Sequence, residues 1–168
     1  HYGRPISQQL FTGKIITTSY SGLTVTVDDG TKTVKTIKNA AGNIETLEDN
    51  DGIINYQYYG NGSMKSANYG SHVVSTTIDG WGRKNSLTDP SAGTYTYEYN
   101  IIGEPTKETT PKGSTEYIYD DFGKLETKKI VGDLTDTNIN YSYNGTTKLL
   151  KKITGIDATN NRTYTYDY

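Results

Sequence analysis

The chain has 168 residues, with 16 Tyr and 18 Gly but only 2 Phe, 1 Trp, 1 Met and no Cys, and a formal net charge of -2. Zero Cys excludes disulfides and thiolate metal sites, and a charge near zero gives no reason to expect nucleic acid or an anionic membrane as a partner. Hydrophobic residues make up 32% and mean hydropathy is -0.72; disorder of such a polar chain would also want high net charge and few aromatics, so the composition points to a fold with a thin core.

Glycine punctuates the chain at 30, 42, 52, 62, 70, 82, 93, 103, 113 and 123. One turn therefore falls about every ten residues, leaving room for strands of about 5–7 residues. In chain order the spacing predicts strands over Ile6–Phe11, Lys14–Tyr20, Leu23–Val27, Thr31–Lys38, Asn43–Glu48 and Ile53–Tyr58. They continue as Ser63–Ala67, His72–Ile78, Arg83–Leu87, Thr94–Tyr99, Glu104–Thr109 and Ser114–Tyr119. The last four are Lys124–Val131, Thr137–Tyr143, Lys148–Thr154 and Arg162–Asp167. No stretch has helical periodicity with caps, and no run of about 18 apolar residues could span a bilayer. No signal peptide is present, which says little for a chain that begins inside a repeat.

Two kinds of turn alternate. The first follows a Tyr-x-Tyr strand, best seen over Thr115–Leu125. Tyr117 and Tyr119 lie two apart and so share a strand face, Asp120 starts the turn, and Gly123 supplies a positive φ. The phrase recurs with Tyr97, Tyr99, Asn100 and Gly103, with Asp79 and Gly82, and over Tyr56–Gly62, Lys38–Gly42 and Tyr141–Gly145. The chain stops inside another copy (Tyr164, Tyr166, Asp167) and starts inside one (Tyr2–Pro5). Anchored on the residue after the second Tyr, the copies fall at 39, 59, 79, 100, 120, 144 and 167, in steps of 20, 20, 21, 20, 24 and 23. Such a period marks a repeat array.

The second kind of turn lies between these, at Asp28–Gly30, Asp49–Gly52, Asn68–Gly70, Asp89–Gly93 and Thr110–Gly113. After Val131 it is expected to lengthen, over Gly132–Asp136 and Gly155–Asn161, which would account for the wider last steps. The fold class is all-β: an antiparallel meander of repeated hairpins forming a curved strip, in one array over residues 1–168 of seven to eight repeats cut at both ends. Alternation gives each strand a Tyr/Ile/Leu/Val face and a Thr/Ser/Lys/Glu face, as in Tyr95, Tyr97 and Tyr99 against Thr94, Thr96 and Glu98. Equivalent Tyr residues stacked on neighbouring hairpins would add ~0.2–1 kcal/mol per pair. An open sheet of sixteen strands must curl or pack on something, and its end strands are sticky, so the array reads as a piece of a longer, self-closing sheet.

The phrase Tyr-x-Tyr-Asp-x-x-Gly-[Arg/Lys]-Leu resembles the YD repeat of the rearrangement-hot-spot (Rhs) family. Tyr117–Leu125, Tyr97–Pro105, Ile78–Lys84 and Tyr2-Gly3-Arg4-Pro5 carry it best, and Thr88-Asp89-Pro90 to Gly93 is similar to the family's Asp-Pro-x-Gly segment. Leu23–Gly30 also looks like a typical repeat half. The family includes polymorphic toxins, C components of insecticidal Tc toxins, wall-associated proteins and teneurins. The resemblance implies a segment of a hollow β-shell that, in toxin members, encloses a C-terminal effector. It also implies secretion or surface display, and as partner the rest of a longer chain, with secretion machinery or a surface protein or glycan as further candidates. The family's autoproteolytic aspartates and closing segment have no counterpart, since Asp89-Pro90 occupies an ordinary turn.

The residues nominate no catalyst, no metal site and no cofactor. Turn-forming Asp is the expected occupant at each Asp position, and Asp120-Asp121, adjacent on a turn, need not converge on a substrate. With Gly52 as the invariant glycine of a calcium loop, Leu47 and Tyr58 would take the first and twelfth ligand positions, so that reading fails. His1 and His72 have no ligand or triad partners. Gly60–Gly62 opens no helix and so no phosphate loop. The Lys128-Lys129 and Lys151-Lys152 pairs read as solvated strand faces. Asn61, Asn144 and Asn161 begin glycosylation sequons, weak evidence in so Asn-rich a chain. Exposed aromatic rows could bind sugars, with Trp81 at a turn tip the best single candidate. The leading function is a non-enzymatic wall segment; the alternative is an adhesive module that docks glycan or protein through its Tyr/Trp face.

Overall fold

The structure, a computed structural model, describes residues 3–133, 135–157 and 161–165. It is all-β, with sixteen strands in an antiparallel meander of hairpins. Two compact units divide it, His1–Gly82 and Arg83–Tyr168. The first holds β1 (Ser7–Gln9), β2 (Ile15–Ser21), β3 (Thr24–Asp28), β4 (Thr33–Lys38), β5 (Ile44–Asp49), β6 (Gly52–Tyr58), β7 (Met64–Tyr69) and β8 (His72–Ile78). The second holds β9 (Lys84–Asp89), β10 (Gly93–Tyr99), β11 (Pro105–Thr110), β12 (Gly113–Tyr119), β13 (Leu125–Gly132), β14 (Thr135–Tyr143), β15 (Leu150–Asp157) and β16 (Asn161–Thr165). Within each unit every strand pairs with its sequence neighbours, so all crossings are hairpins.

Register sorts the side chains into two faces, as the alternation predicts. In the first unit Val25 lies opposite Thr36, Thr36 opposite Leu47 and Leu47 opposite Ile54. Tyr56 lies opposite Ala67, which faces Val74 on its other side. On the opposite face of the second unit a rung of alternating charge runs Glu98, Lys107, Glu116, Lys129 across β10 to β13. Lys107 Nζ and Glu116 Oε1 are 3.0 Å apart. Opposite charges directly across a ladder pin the register as well as attract. The segregation is less clean in the second unit, where Glu108 faces Tyr97 and Lys128 faces Tyr117.

The core is thinner than the composition suggests. Among the described residues no hydrophobic side chain is buried, and only Ser66 is, at 8% exposure. Among the described residues the apolar face of each unit is therefore at best half-buried. Burial of apolar area therefore contributes little here, and hydrogen-bonded ties between repeats carry more of the order.

Two expectations change at the turns. Phe11 leaves its predicted strand for a turn, closed by Leu10 N–H to the Lys14 carbonyl (2.8 Å) and Gly13 N–H to the Leu10 carbonyl (2.9 Å). Gly13, at φ 83, reverses the chain there. The second kind of turn does not lengthen at 132–136: Gly132 pairs with Thr135, leaving only two residues between. The extra residues sit in the strands instead, eight in β13 and nine in β14. One more sits in the Asn144 turn, closed by Asn144 N–H to the Leu149 carbonyl at 2.8 Å. The turn expected at Gly155–Asn161 lies partly outside the described residues; β15 runs on to Asp157.

Candidate functional site: the tie between successive repeats

Each turn of the first kind is a small hydrogen-bonded cage. At Asp120 the main chain closes twice, Asp120 N–H to the Lys124 carbonyl (2.8 Å) and Gly123 N–H to the Asp120 carbonyl (3.0 Å). The carboxylate Oδ1 accepts the N–H groups of Phe122 (2.9 Å) and Lys124 (2.8 Å). Asn100 does the same for Ile102 (3.2 Å) and Glu104 (2.9 Å), and Asn39 for Ala41 and Asn43 (both 3.0 Å). Asp79 Oδ1 accepts from Trp81 N–H at 2.9 Å. Asn serves as well as Asp because an oxygen acceptor, not a charge, is what the turn needs. Gly82, Gly103 and Gly123 close these turns at φ 81, 96 and 77.

A β-bulge follows the turn at five of these hairpins. Ile118 pairs with Thr127 and Tyr119 with Leu125, so Glu126 is the extra residue. The same shift leaves out Glu45, Lys65, Thr106 and Lys151 at the equivalent hairpins. A bulge disrupts the ladder and frees main-chain groups. The second Tyr of the following repeat supplies a donor there. Tyr119 donates its hydroxyl to the Pro105 carbonyl (2.8 Å) and Tyr143 to that of Leu125 (2.9 Å). Tyr99 donates to Lys84 (2.9 Å), Tyr58 to Ile44 (2.7 Å) and Tyr20 to Pro5 (3.1 Å). Each acceptor sits immediately before the extra residue or at its equivalent in the repeat before.

At three of these Tyr residues the basic residue after the turn glycine completes the tie. Arg83 lies 4.6 Å from the Tyr99 ring centre, Lys124 4.8 Å from that of Tyr143 and Arg4 5.2 Å from that of Tyr20. Arg83 Nη1 also donates to the Asn100 carbonyl at 3.1 Å, and Lys124 Nζ to that of Lys148. One Tyr side chain thus holds the preceding repeat by its hydroxyl and by its ring face at once. Burial pushes the Tyr117, Tyr119 and Tyr143 hydroxyls above the usual tyrosine range, with Glu108, Glu104 and Asp120 adding to the effect respectively. All three stay protonated donors at neutral pH.

The remaining sequence-derived residues are placed as follows. Tyr97 carries Lys84 4.4 Å from its ring centre, and Tyr117 carries Lys128 at 5.7 Å. Tyr164 lies on β16 opposite Ile153 and is 55% exposed. Tyr166 and Asp167 lie outside the described residues. Trp81 stands at its turn tip at 83% exposure, as Phe122 does at 75%. Sequence reasoning missed the acceptor carbonyls of Ile44, Lys84, Pro105 and Leu125, because a carbonyl has no residue identity. The fixed spacing from Arg83 to Tyr99 and from Arg4 to Tyr20 was the available signal for the cation.

Chemically the arrangement binds chain to chain. Two open grooves lie between successive turns, 280 Å³ over Tyr141, Tyr143 and Glu126 in the second unit and 490 Å³ over Tyr56, Tyr58 and Glu45 in the first. Among the described residues no group of three or more His, Asp or Glu is placed to hold a metal. The Asp120 carboxylate is engaged by the main-chain N–H groups of its own turn.

No family model and no curated protein matches the chain. Solved structures do. The crystal structure of TcdB2-TccC3 without its hypervariable C-terminal region matches with a TM-score of 0.68 at 14% identity, over 90% of this chain and 10% of that one. The crystal structure of TcdB2-TccC3-Cdc42 gives 0.69, again at 14% identity and over 90% and 10% of the two chains. The chain spans about a tenth of the length of the chains it matches. In fold, this antiparallel meander of hairpins is the β-sheet architecture of a segment of TcdB2-TccC3.

Proposed function

We propose that this chain is a wall segment of a YD-repeat β-shell, secreted or displayed at a cell surface, whose longer polypeptide encloses or presents a C-terminal effector. The observation that supports it is the tie repeated from hairpin to hairpin, the Tyr hydroxyl on the previous carbonyl, joined at Tyr99 and Tyr143 by Arg83 or Lys124 on the ring. That device extends a sheet by one repeat at a time and holds it without a core. Its work is exclusion, and the segment performs no catalysis. The fold shared with TcdB2-TccC3, and the C-terminal region that one of those structures lacks, point to the same use.

The test is the native polypeptide that carries this sequence, weighed intact and then subjected to limited proteolysis. A wall segment predicts a mass many times 18.6 kDa and a C-terminal portion that resists cleavage until the repeats unfold. A mass near that of the segment, or a C-terminal portion cleaved as readily before unfolding as after, would overturn the reading.

A second reading rests on Trp81, which projects at 83% exposure from its turn. Such an aromatic tip suits an adhesive module that stacks on the apolar face of a sugar or on a partner protein. It predicts glycan or surface-protein binding that Trp81→Ala abolishes; a variant binding as well as the parent would exclude Trp81 as the contact.

A further inference from the structure

An asparagine can be converted without an enzyme when the next residue's main-chain nitrogen attacks its side-chain carbonyl carbon. We propose that Asn144 is such a self-modifying site in the folded protein, passing through a cyclic imide to aspartate and isoaspartate. Three features of its turn converge on this chemistry. Oδ1 accepts the N–H groups of Thr146 (2.8 Å) and Thr147 (3.0 Å). Negative charge gathers on that oxygen as Cγ is attacked, and two fixed main-chain donors stabilise it. The attacking nitrogen belongs to Gly145, which has no Cβ to crowd the approach, and nothing lies within 4 Å of where one would stand. The closing bonds of the turn use Asn144 N–H and Lys148 N–H, leaving Gly145 N–H out of the hydrogen bonding.

Asn61, Asn39 and Asn100 each lack at least one of these features. Asn61 also precedes a glycine, but Gly62 N–H is held by the Tyr59 carbonyl at 2.9 Å. Its Oδ1 takes one donor, Ser63 N–H at 3.0 Å. Asn39 and Asn100 have two donors each, but Ala40 and Ile101 follow them with side chains that hinder attack.

The step balances without any redox partner. The Gly145 N–Cγ bond forms as that nitrogen loses its proton, the Cγ–Nδ2 bond breaks, and ammonia leaves. Water then cleaves one of the two imide C–N bonds. Cleavage at Cγ gives aspartate; cleavage at the main-chain carbonyl gives isoaspartate, which routes the chain through the side chain. Either product adds a carboxylate to a turn that already holds Lys148, whose carbonyl accepts from Lys124 Nζ.

Site-resolved mass spectrometry of the intact protein, held folded at mildly alkaline pH and in parallel in concentrated urea, tests the inference. In the folded protein Asn144 should convert at least about tenfold faster than Asn61, Asn39 or Asn100. In urea the advantage over Asn61 should collapse, because both are then Asn-Gly in a flexible chain. A folded-state rate for Asn61 equal to that of Asn144, or a ratio that urea leaves unchanged, overturns it.

Discussion

A hydroxyl on Tyr119 and a hydrogen on Gly123 each hold a turn of this chain in place. Replacing Tyr119 with Phe keeps the ring and removes the donor to Pro105. The expected loss is about 0.5–1.5 kcal/mol, toward the low end because the bond is exposed to water. Urea titration would measure it, and a Tyr164→Phe control should change little, since that side chain is 55% exposed. At Gly123, φ is 77° and a Cβ would stand 2.7 Å from Glu104 Oε1. The carboxylate can swing away, so the cost of Gly123→Val is mainly the strained main chain, roughly 1–3 kcal/mol. Gly113 is the harsher case. A Cβ there would meet the Val131 carbonyl oxygen at 2.0 Å, and main chain cannot swing aside. Gly113→Ala should therefore lower the melting temperature more than Gly30→Ala, where φ is 83 and nothing lies within 4 Å. Equal losses would mean that φ alone governs both.

At the scale of the hairpin, legibility in the sequence follows from what side chains can encode. All sixteen strands and the positions of most turns could be read, because Gly and Asp or Asn are selected by the turn itself and recur on a fixed step. The bulge could not be read. It leaves Tyr117 and Tyr119 on one face and puts the extra residue on the return strand, where Glu45, Lys65, Thr106, Glu126 and Lys151 are ordinary polar strand residues that carry no mark of it. The expected Tyr-on-Tyr ladder was also misplaced in kind: the cross-strand partner of Tyr97 is Glu108, that of Tyr117 is Lys128 and that of Tyr119 is Leu125. Equivalent tyrosines are a repeat apart, so the next repeat is reached through a carbonyl and a cation instead. The added residues after Val131 looked like loop because Asp, Thr and Asn fill them, yet β13 and β14 absorb them as paired strand. Pairing overrides propensity there.

The hairpins also set a pH profile. Lys14 holds the Asp29 carboxyl well below the usual carboxylate range, Lys32 lowers Asp49 and Lys107 lowers Glu116. Carboxyls depressed on folding contribute stability above their unfolded values, near pH 4, and lose it as pH falls through the folded ones. Tyr117, Tyr119 and Tyr143, with Lys32 and Lys107, are raised. Their contribution is complete below about pH 10 and is lost as pH climbs through the folded values. Melting temperature should therefore be flat near neutrality and fall at both extremes. Added salt should weaken the acid limb, which rests wholly on exposed ion pairs, more than the alkaline limb, where desolvated Tyr hydroxyls titrate alongside Lys32 and Lys107. A salt-insensitive acid limb would remove those pairs from the account.

For the molecule as a whole, the ties reach only one repeat back, so stability is close to a sum of repeats and their junctions. Removing residues 100–119 deletes one step of 20 and joins Tyr99 to Asp120, leaving every turn with a proper partner. That variant should keep its β-sheet circular dichroism and melt within a few degrees of the parent. Removing residues 100–109 takes out one strand, reverses the direction of all that follow, and should abolish cooperative melting. Equal behaviour of the two deletions would contradict repeat-wise assembly.

The same short reach sets how the chain responds to force. Because Tyr143 grips Leu125 and Tyr119 grips Pro105, each grip spans one hairpin and shares no load with the next. Pulled from its ends, such a chain gives way one hairpin pair at a time. Each event releases roughly 70 Å of extended backbone at a similar tension, and slack lets the freed repeat rejoin the end of the intact stack. A wall made this way can be opened locally and closed again, with no need to unravel the whole.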